Sequence, residues 1–349
     1  MSITQSQLAK KLGVSQGTIS YAFKPESPVH PKTRTKVLAA ANRLGYRPNA
    51  AAQAMRKGRF NAIGLLSSVR INEAALNSMA LWAVQQEMGR REMHLVMSPI
   101  PDEKLLKEGA IPHILRQWSV DGLLVSYTYN APQPLQDVLE RHHVPAVWLN
   151  TRLDYDCVYL DDHKAGMLCA QRLLEAGHRR VGYVSFRARA SHYSAEDRRR
   201  GCLGAVHAMG LHAVEFNHDM LEAARRDELA AITQWLGQPD RPTGIVTYEE
   251  GEAAVVLMAA ARMGLRVPQD LSICAVRNSS IRVMGVLLSG MEHRHYKLGE
   301  RGVEQLMKKI DSPADRAKPI VVQPTVVEGE TITPPRQMGL GLEATSDTA

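Results

Sequence analysis

The stretch Gln5-Ser6-Gln7-Leu8-Ala9-Lys10-Lys11-Leu12-Gly13-Val14-Ser15-Gln16-Gly17-Thr18-Ile19-Ser20-Tyr21-Ala22 carries two short helical patterns around a tight turn. Leu8, Ala9 and Leu12 share one face at i, i+1, i+4 spacing. Gly13 ends the first helix, where a left-handed backbone costs a residue without Cβ little. Val14 plugs the turn. Ser15 is a good N-cap for the second helix, since its hydroxyl can accept from a first-turn N–H. Ile19, Ala22 and Phe23 supply that helix's inward face, and Ala9 is small where two helices must cross closely. The constellation of Ala9, Gly13, Val14 and Ile19 is more specific than any one of its members. It predicts a helix-turn-helix.

A third helix is predicted over 31–44, with Pro31 in its first turn, Val37, Leu38, Ala41 and Leu44 on its apolar face, and Gly45 ending it. Residues 1–60 hold eleven Lys and Arg against the single acid Glu26, a charge of +10. The other 289 residues hold 32 basic and 35 acidic side chains, a charge of −3. A small basic head on a nearly neutral body suits a nucleic-acid module joined to something else; the plain alternative is a solvated basic surface. By the usual docking geometry, the helix that starts at Ser15 enters the major groove.

From Asn61 onward the pattern alternates strand and helix. Strands are predicted at 62–66, 94–97, 121–125 and 145–149, with helices over 74–88, 111–118 and 135–141 between them. The theme repeats with helices over 165–176, 198–209 and 252–263 and strands at 180–184, 244–247 and 271–276. Two similar α/β halves imply mostly parallel sheets with helices on both faces, and a ligand cleft between two lobes lined by strand C-termini.

The 349 residues, 44% apolar and 23% charged, exclude a mostly disordered, collagen-like or disulfide-stapled chain. No run approaches the roughly 20 apolar residues of a membrane helix. The polar start Met1-Ser2-Ile3-Thr4-Gln5 has no signal-peptide core, so a cytoplasmic location is expected. Cys157, Cys169, Cys202 and Cys274 are widely spaced and read as buried small apolar residues, not a disulfide framework or zinc knuckle. The sequence has no GxGxxG after the first strand, no GxxxxGK[ST] and no HExxH, and no catalytic residue, cofactor or metal is assigned. His142-His143 and His293-Arg294-His295 read as surface histidines rather than metal ligands. Asp161-Asp162 reads as a turn at the cleft edge, its side chains pointing apart. Arg198-Arg199-Arg200 reads as one binding arginine and two solvated ones.

Residues 2–58 resemble the head of the lactose-repressor (LacI/GalR) family of transcriptional regulators. The resemblance rests on Leu8-Ala9-Lys10-Lys11-Leu12-Gly13-Val14-Ser15, Thr18-Ile19-Ser20, Thr33-Arg34-Thr35-Lys36-Val37 and Leu44-Gly45-Tyr46-Arg47-Pro48-Asn49. It continues more weakly through Val158-Tyr159-Leu160-Asp161-Asp162, Gly177-His178-Arg179-Arg180-Val181, Arg198-Arg199-Arg200-Gly201, 264–272 and Leu298-Gly299, so that it spans residues 2 to about 332. The family's base-reading positions fall on Gln16, Gly17 and Tyr21. The chain departs there: relatives often carry Arg at the place of Tyr21, and Gly17 has no side chain to read a base. Gln16 can bond adenine bidentately. Thr4, Ser15, Thr18, Lys24 and Thr33 are candidates for phosphate contacts, which position rather than specify.

Pro48 and Asn49 start an alanine-rich run to Gly58 that is too short for a stable isolated helix in water. In the family this hinge orders on DNA, pairs with its twin and enters the minor groove. Met55 then falls at the place of the wedging residue and Ala52 at that of the small residue on the groove floor. A plain alanine-rich linker is the alternative reading.

The family's ligand positions fall on Arg198, on Asn150 where relatives often have Asp, on Glu249 and Glu250 where many have Asn-Asp, and on Arg277 where sugar-binding relatives usually have Asp. Ser68, Tyr127 and Tyr248 also follow strands. A guanidinium at 277 favours anions through bidentate bonds, as in an acidic sugar; an internal ion pair of Arg277 with Glu249 or Glu250 is the alternative. The domain plan is a helix-turn-helix head at 1–47, a hinge at 48–60, a two-lobed periplasmic-binding-protein-like effector domain at 61–332 and a disordered tail at 333–349. The tail, rich in Pro, Gly, Ser and Thr from Thr331 onward, lacks the heptads of a tetramerising coiled coil. The expectation is a homodimeric repressor of a near-palindromic double-stranded DNA operator, governed by a small-molecule effector, a sugar or acidic sugar derivative, in the cleft. The rival is a two-lobed binding protein or α/β enzyme with an accidental basic head.

Overall fold

The computed structural model describes residues 3–24, 26–49, 58–68, 76–100, 112–116, 119–127, 131–186, 192–216, 227–279 and 281–336. The chain divides into two compact units, Met1–Ala62 with Ser119–Asp121, and Ile63–Trp118 with Gly122–Ala349.

The first unit holds α1 (Gln5–Leu12), α2 (Gln16–Ala22) and α3 (Pro31–Arg43). A capping box starts α1: Gln7 N–H donates to Thr4 Oγ1 at 3.3 Å, and Thr4 N–H to Gln7 Oε1 at 2.9 Å. Gly13, at φ +63°, ends the helix in the left-handed conformation its sequence position predicts. Ser15 caps α2, accepting from Thr18 N–H at 3.0 Å. Leu8, Ala9, Ile19, Ala22, Val37, Ala40, Ala41 and Tyr46 form one buried cluster, with the ring of Phe23 edge-on to Tyr46 at 5.7 Å. Arg34 completes the packing. Its guanidinium donates to Ala22 O at 3.0 Å and Lys24 O at 3.1 Å, satisfying carbonyls that the end of α2 leaves open.

The second unit contains two six-stranded sheets. Sheet one takes β1 (Ala62–Ser68), β2 (His94–Ile100), β3 (Gly122–Ser126), β4 (Ala146–Leu149), β5 (Cys157–Leu160) and β11 (Ile320–Val322), in the order β11-β5-β4-β3-β1-β2. Sheet two takes β6 (Val181–Val184), β7 (Val214–Phe216), β8 (Gly244–Thr247), β9 (Ser272–Arg277), β10 (Ser289–Glu292) and β12 (Thr325–Val327), in the order β12-β10-β9-β8-β6-β7. The pairings β1–β3, β3–β4, β4–β5, β5–β11, β6–β7, β6–β8, β8–β9 and β9–β10 are parallel. The edge pair β10–β12 is antiparallel, within the mostly parallel sheets expected from the sequence.

Helices α4 (Ser78–Arg90), α5 (His113–Arg116), α6 (Gln133–Arg141), α7 (Asp162–Glu175), α8 (Tyr193–Ala208), α9 (Glu228–Leu236), α10 (Glu250–Arg262) and α11 (His295–Asp311) complete the unit. In lobe one, Val84 and Met88 of α4 and Leu298 and Leu306 of α11 pack on Ile63, Leu65, Leu124 and Val147 of sheet one. In lobe two the β period of two places Ile273 and Ala275 against α9 and α10, and Cys274 and Val276 against α7 and α8. All four cysteines are free and buried.

The chain passes between the lobes three times, from β5 into α7, from β10 into α11, and between β11 and β12. The α7–α8 crossing is close. A Cβ on Gly166 would lie 2.0 Å from Arg198 O, and one on Gly201 2.0 Å from His163 O. No larger residue fits at either position, and this closeness sets where Arg198 sits.

Several expectations need correction. Thr331 is not in a disordered tail. It is buried, with its Oγ1 donating to Ile273 O at 2.6 Å, and Thr333 N–H donates to Ser272 Oγ at 3.1 Å. Helix α8 starts at Tyr193, one turn before the expected 198, because His192 caps it. The short strands β5, β7, β10, β11 and β12 and helix α9 were not among the predicted elements. Residues 111 and 117–118, expected on a helix, and 337–349 lie outside the described residues. Among the described residues no helix is long and apolar enough to cross a membrane.

Candidate nucleic-acid interface and interlobe cleft

In the head, Thr4, Ser15, Gln16, Gly17, Tyr21, Lys24 and Asn49 are exposed, and Thr18 and Thr33 are half-buried. Gln16, Gly17 and Tyr21 lie on α2, the helix the sequence assigns to the groove. Nothing closer than Ser15 Oγ at 3.5 Å faces a Cβ built on Gly17, so that place is bare. Lys24 Nζ sits 4.5 Å from the centroid of the Tyr21 ring, a cation over a π face. Ser15 Oγ and Thr18 Oγ1 bond each other at 2.9 Å. Gln5 Nε2 donates to Gln16 O at 2.7 Å, fixing the start of α2 on α1. The hinge positions Ala52 and Met55 lie outside the described residues.

In the second unit the strand rule places Ser68 at the end of β1, Tyr127 after β3, Asn150 after β4, Tyr248 to Glu250 after β8 and Arg277 at the end of β9. Arg198 and Asp162 make a buried ion pair: Arg198 Nε donates to Asp162 Oδ1 at 2.7 Å. His293 Nε2 also bonds that oxygen, at 2.9 Å. Burial by itself would push the Asp162 carboxyl up, but Arg198 and His293 outweigh it and hold the group well below the ordinary carboxylate range. Arg198 NH1 donates to Tyr248 O at 2.6 Å, and its guanidinium lies 4.4 Å from the Tyr248 ring.

A chain of hydrogen bonds continues outward from Tyr248. Its hydroxyl bonds Ser194 Oγ at 2.8 Å, and that oxygen bonds His192 Nδ1 at 2.8 Å. His192 Nδ1 also accepts from Ser194 N–H at 3.3 Å, so the ring proton sits on Nε2. Nε2 then donates to Asn150 O at 2.9 Å, across the cleft in lobe one. Asn150 holds a left-handed backbone at φ +55°.

The other assigned groups serve the loop after β9. Glu250 Oε1 accepts from Asn278 N–H at 2.7 Å, Ser279 N–H at 2.9 Å and Ser279 Oγ at 3.1 Å. Glu249 Oε2 accepts from Asn278 Nδ2 at 3.2 Å. Arg277 is fully buried and donates to Leu288 O at 2.9 Å, Ser279 O at 3.0 Å and Ile281 O at 3.2 Å. Its terminal nitrogens meet backbone carbonyls rather than Glu249 or Glu250, so the internal ion pair drawn from the sequence is not what holds it.

Tyr127 is buried, its carbonyl accepting from Thr151 Oγ1 at 3.1 Å, and Ser68 is half-buried. His293 and His295 are buried, not on the surface as expected, because they lie where the chain crosses between lobes. His295 Nε2 bonds Asn278 Oδ1 at 3.0 Å; burial first, then His293 and Arg198, push its imidazole down to about 3. Asp161 and Asp162 do point apart: Asp161 caps α7 through Lys164 N–H at 3.0 Å. Arg199 is not the solvated residue expected, because it is mostly covered and pairs with Glu215 and Glu196, whereas Arg200 is largely exposed. The residues that sequence reasoning missed are Asp162 as the partner of Arg198, and His192 and Tyr193 on the cleft. Among the described residues no three His, Cys, Asp or Glu side chains could hold a metal ion together.

Two family profiles match the chain. "Bacterial regulatory proteins, lacI family" covers residues 6–49, and "Periplasmic binding protein-like domain" covers residues 170–332. The chain belongs to the lacI family of bacterial regulators. The repressor called PurR of Escherichia coli O139:H28 is 28% identical over 335 residues, covering 94% of this chain and 96% of its own. PurR of Shigella boydii serotype 18 matches at the same identity and coverage. In fold, the chain is similar to the lac repressor dimer bound to operator and the anti-inducer ONPF, with TM-score 0.78, 21% identity, and coverage of 95% of this chain and 100% of the other. It is also similar to a LacI family regulator from Mycobacterium smegmatis, with TM-score 0.58, 28% identity, and coverage of 78% and 100%. These lacI-family relatives are transcriptional regulators, not enzymes.

Proposed function

We propose that the protein is a DNA-binding transcriptional repressor that works in the cytoplasm as a homodimer. Each head reads one half of a near-palindromic operator, and a small-molecule effector in the interlobe cleft modulates binding. The observation that carries this reading is the outer face of α2. Gln16 and Tyr21 stand exposed on a helix held by a complete core, in a segment with eleven cationic side chains and one acid. The domain plan keeps the head at 1–47, the hinge at 48–60 and the sensor from 61; it extends the ordered sensor through residue 336. Met55 is the wedge and Ala52 the groove-floor residue of the hinge. Thr4, Ser15, Thr18, Lys24 and Thr33 position the head on phosphates.

Self-association is supported by large apolar side chains left in water: Met79 and Trp82 on α4, Val96 and Met97 on edge strand β2, Met258 on α10, and Ile281 and Met284 after β9. The effector reading is supported by Ser68 and Asn150 of lobe one and Tyr248 and Glu249 of lobe two standing at strand C-terminal ends, with Arg198 of α8 bonded to the Tyr248 carbonyl.

Selection of bound duplexes from a randomised pool by the full chain should yield a near-palindromic site whose affinity falls steeply with salt. Removing residues 1–60 should abolish binding while leaving a folded dimer; unchanged activity after that deletion would favour the rival reading as a plain two-lobed binder. Met55→Gly should weaken specific binding far more than non-specific binding.

A further inference from the structure

The cleft is bridged by the protein's own side chains. His192 and Tyr193, at the start of α8 in lobe two, reach Asn150 of lobe one with separate bonds. His192 Nε2 donates to the Asn150 carbonyl at 2.9 Å, and Tyr193 OH donates to Asn150 Oδ1 at 3.3 Å. The Tyr193 ring meets Tyr159 of β5 edge-on at 6.2 Å, and Arg152 of lobe one lies 5.3 Å from its centroid. Arg152 also makes an ion pair with Asp197, one turn further along α8.

These contacts share three properties. Every lobe-two partner lies within the first turns of one helix. Every lobe-one partner lies on the return from β4 to β5 or on β5 itself. His192 has its tautomer fixed by the Ser194 N–H, so it is set in advance as a donor toward lobe one.

We propose that His192 and Tyr193 form a latch that seats on Asn150 and closes the two lobes without any bound small molecule. This rests on reading the second unit as a two-lobed sensor. The latch holds because Asn150 offers two acceptors in a backbone conformation that turns both toward α8, and because the Tyr193 ring is clamped between Tyr159 and Arg152. Its base is tied to Arg198 and Asp162 through Ser194 and Tyr248, so the buried ion pair of lobe two supports the bridge. A molecule entering the cleft must break these bonds or fit around them. The sensor's resting state is therefore the closed one, and an effector acts by changing how often the latch lets go.

The test measures lobe separation in the full chain. Arg141 of lobe one and Glu175 of lobe two are exposed, the native cysteines are buried, and Arg141→Cys with Glu175→Cys, diluted with unlabelled chain so that a dimer carries labels on one protomer, gives one spin-label pair across the cleft. Without added ligand, a single narrow distance distribution is expected. His192→Asn keeps the cap on α8, since Asn is a strong N-cap, but its side chain stops short of Asn150. Combined with Tyr193→Phe it should add a longer-distance population, lowering the closed-to-open ratio about tenfold, the effect of losing one to two net hydrogen bonds. Arg152→Gln, on a half-exposed side chain, approaches the same bridge from lobe one and should shift the ratio in the same direction.

Thermal melting of each variant shows that it is folded. An unchanged distribution in the folded double variant, or a broad open distribution in the parent, overturns the latch. DNA binding is read on the same proteins. Variants that open the cleft yet bind DNA like the parent keep the latch and remove the coupling of sensor to head. A parent that binds no duplex removes the repressor reading and leaves the distance result standing.

Discussion

Arg198 and Asp162 face each other inside lobe two at 2.7 Å, one at the second turn of α8 and the other at the first residue of α7. Both are almost wholly buried, so each is the other's replacement for water. Removing one partner leaves the second charged and desolvated, which costs more than the pair itself contributes. Asp162→Asn should therefore destabilise the second unit by about 3–5 kcal/mol, as in other buried pairs cut on one side. Urea denaturation of the full chain measures this; a loss below about 1 kcal/mol would mean that water reaches Arg198.

The glycines at the α7–α8 crossing predict a contrast within one helix. Gly201→Ala would put a Cβ 2.0 Å from the His163 carbonyl oxygen, and backbone cannot step aside there. A destabilisation at or above the roughly 1–3 kcal/mol of an overpacked core is expected. Gly204, one turn on, has nothing within 4 Å. Gly204→Ala should stabilise by about 0.5–1 kcal/mol, as Gly→Ala does inside helices. Melting curves of the two variants should move in opposite directions.

His295 predicts a pH dependence. In the unfolded chain its imidazole takes up a proton near its ordinary 6.5; in the fold, burial, His293 and Arg198 delay that to about 3. The unfolded state then binds more protons between those values, so stability is complete above about pH 6.5 and falls as pH drops through the window. The slope for one such group is at most about 1.4 kcal/mol per pH unit. His178 and His192, both pushed down mainly by burial, act in the same sense. Urea midpoints from pH 7.5 to 4 should decline, and His295→Gln should flatten the decline without abolishing it.

The head predicts a division of labour. Gln16→Ala or Tyr21→Ala should cost about 1–3 kcal/mol on the selected site and little on unrelated duplex, as expected of base-edge contacts. Lys24→Ala should weaken both alike and lower the logarithmic salt slope by about 1, as a phosphate contact does. Fluorescence anisotropy at several salt concentrations separates the two patterns; equal effects from all three variants would show that α2 does not face bases.

Self-association should depend on α4. Trp82, 51% exposed, and Met79 stand on the face of that helix turned to water. Trp82→Ser with Met79→Ser should shift sedimentation equilibrium toward monomer while leaving the single-chain melt unchanged. A dimer of undiminished affinity would place the interface elsewhere.

The head was readable because its signals are local. Gly13, Ser15 and Pro31 each announce a helix end through their own backbone preferences, and the structure places all three at helix ends. The sensor strands β1, β3, β4, β6, β8 and β9 were readable from apolar runs buried on both faces, and Asn150, Tyr248 and Arg277 from their places at strand ends. What escaped is non-local. Arg198 meets Asp162 only because two glycines on different helices permit a close crossing, and no periodicity encodes that pairing. His293 and His295 flank an arginine and so look like surface residues, yet they lie where the chain passes between lobes. Thr331 and Thr333 belong to a composition typical of disorder; their hydroxyl and backbone groups are paired with Ile273, Ser289 and Ser272 of sheet two. His192 could be read from sequence as a helix cap at most, because its second partner is 42 residues away.

Gly17 leaves a blank in the exposed row of α2 residues proposed to read DNA. The space around it accepts a side chain at no cost to the head's core, so one codon change there can write a new contact while Leu8, Ile19 and Val37 stay as they are. A regulator with such an unfilled place can acquire a different target without first losing its fold, and gene duplicates of it would diverge in address before they diverge in architecture.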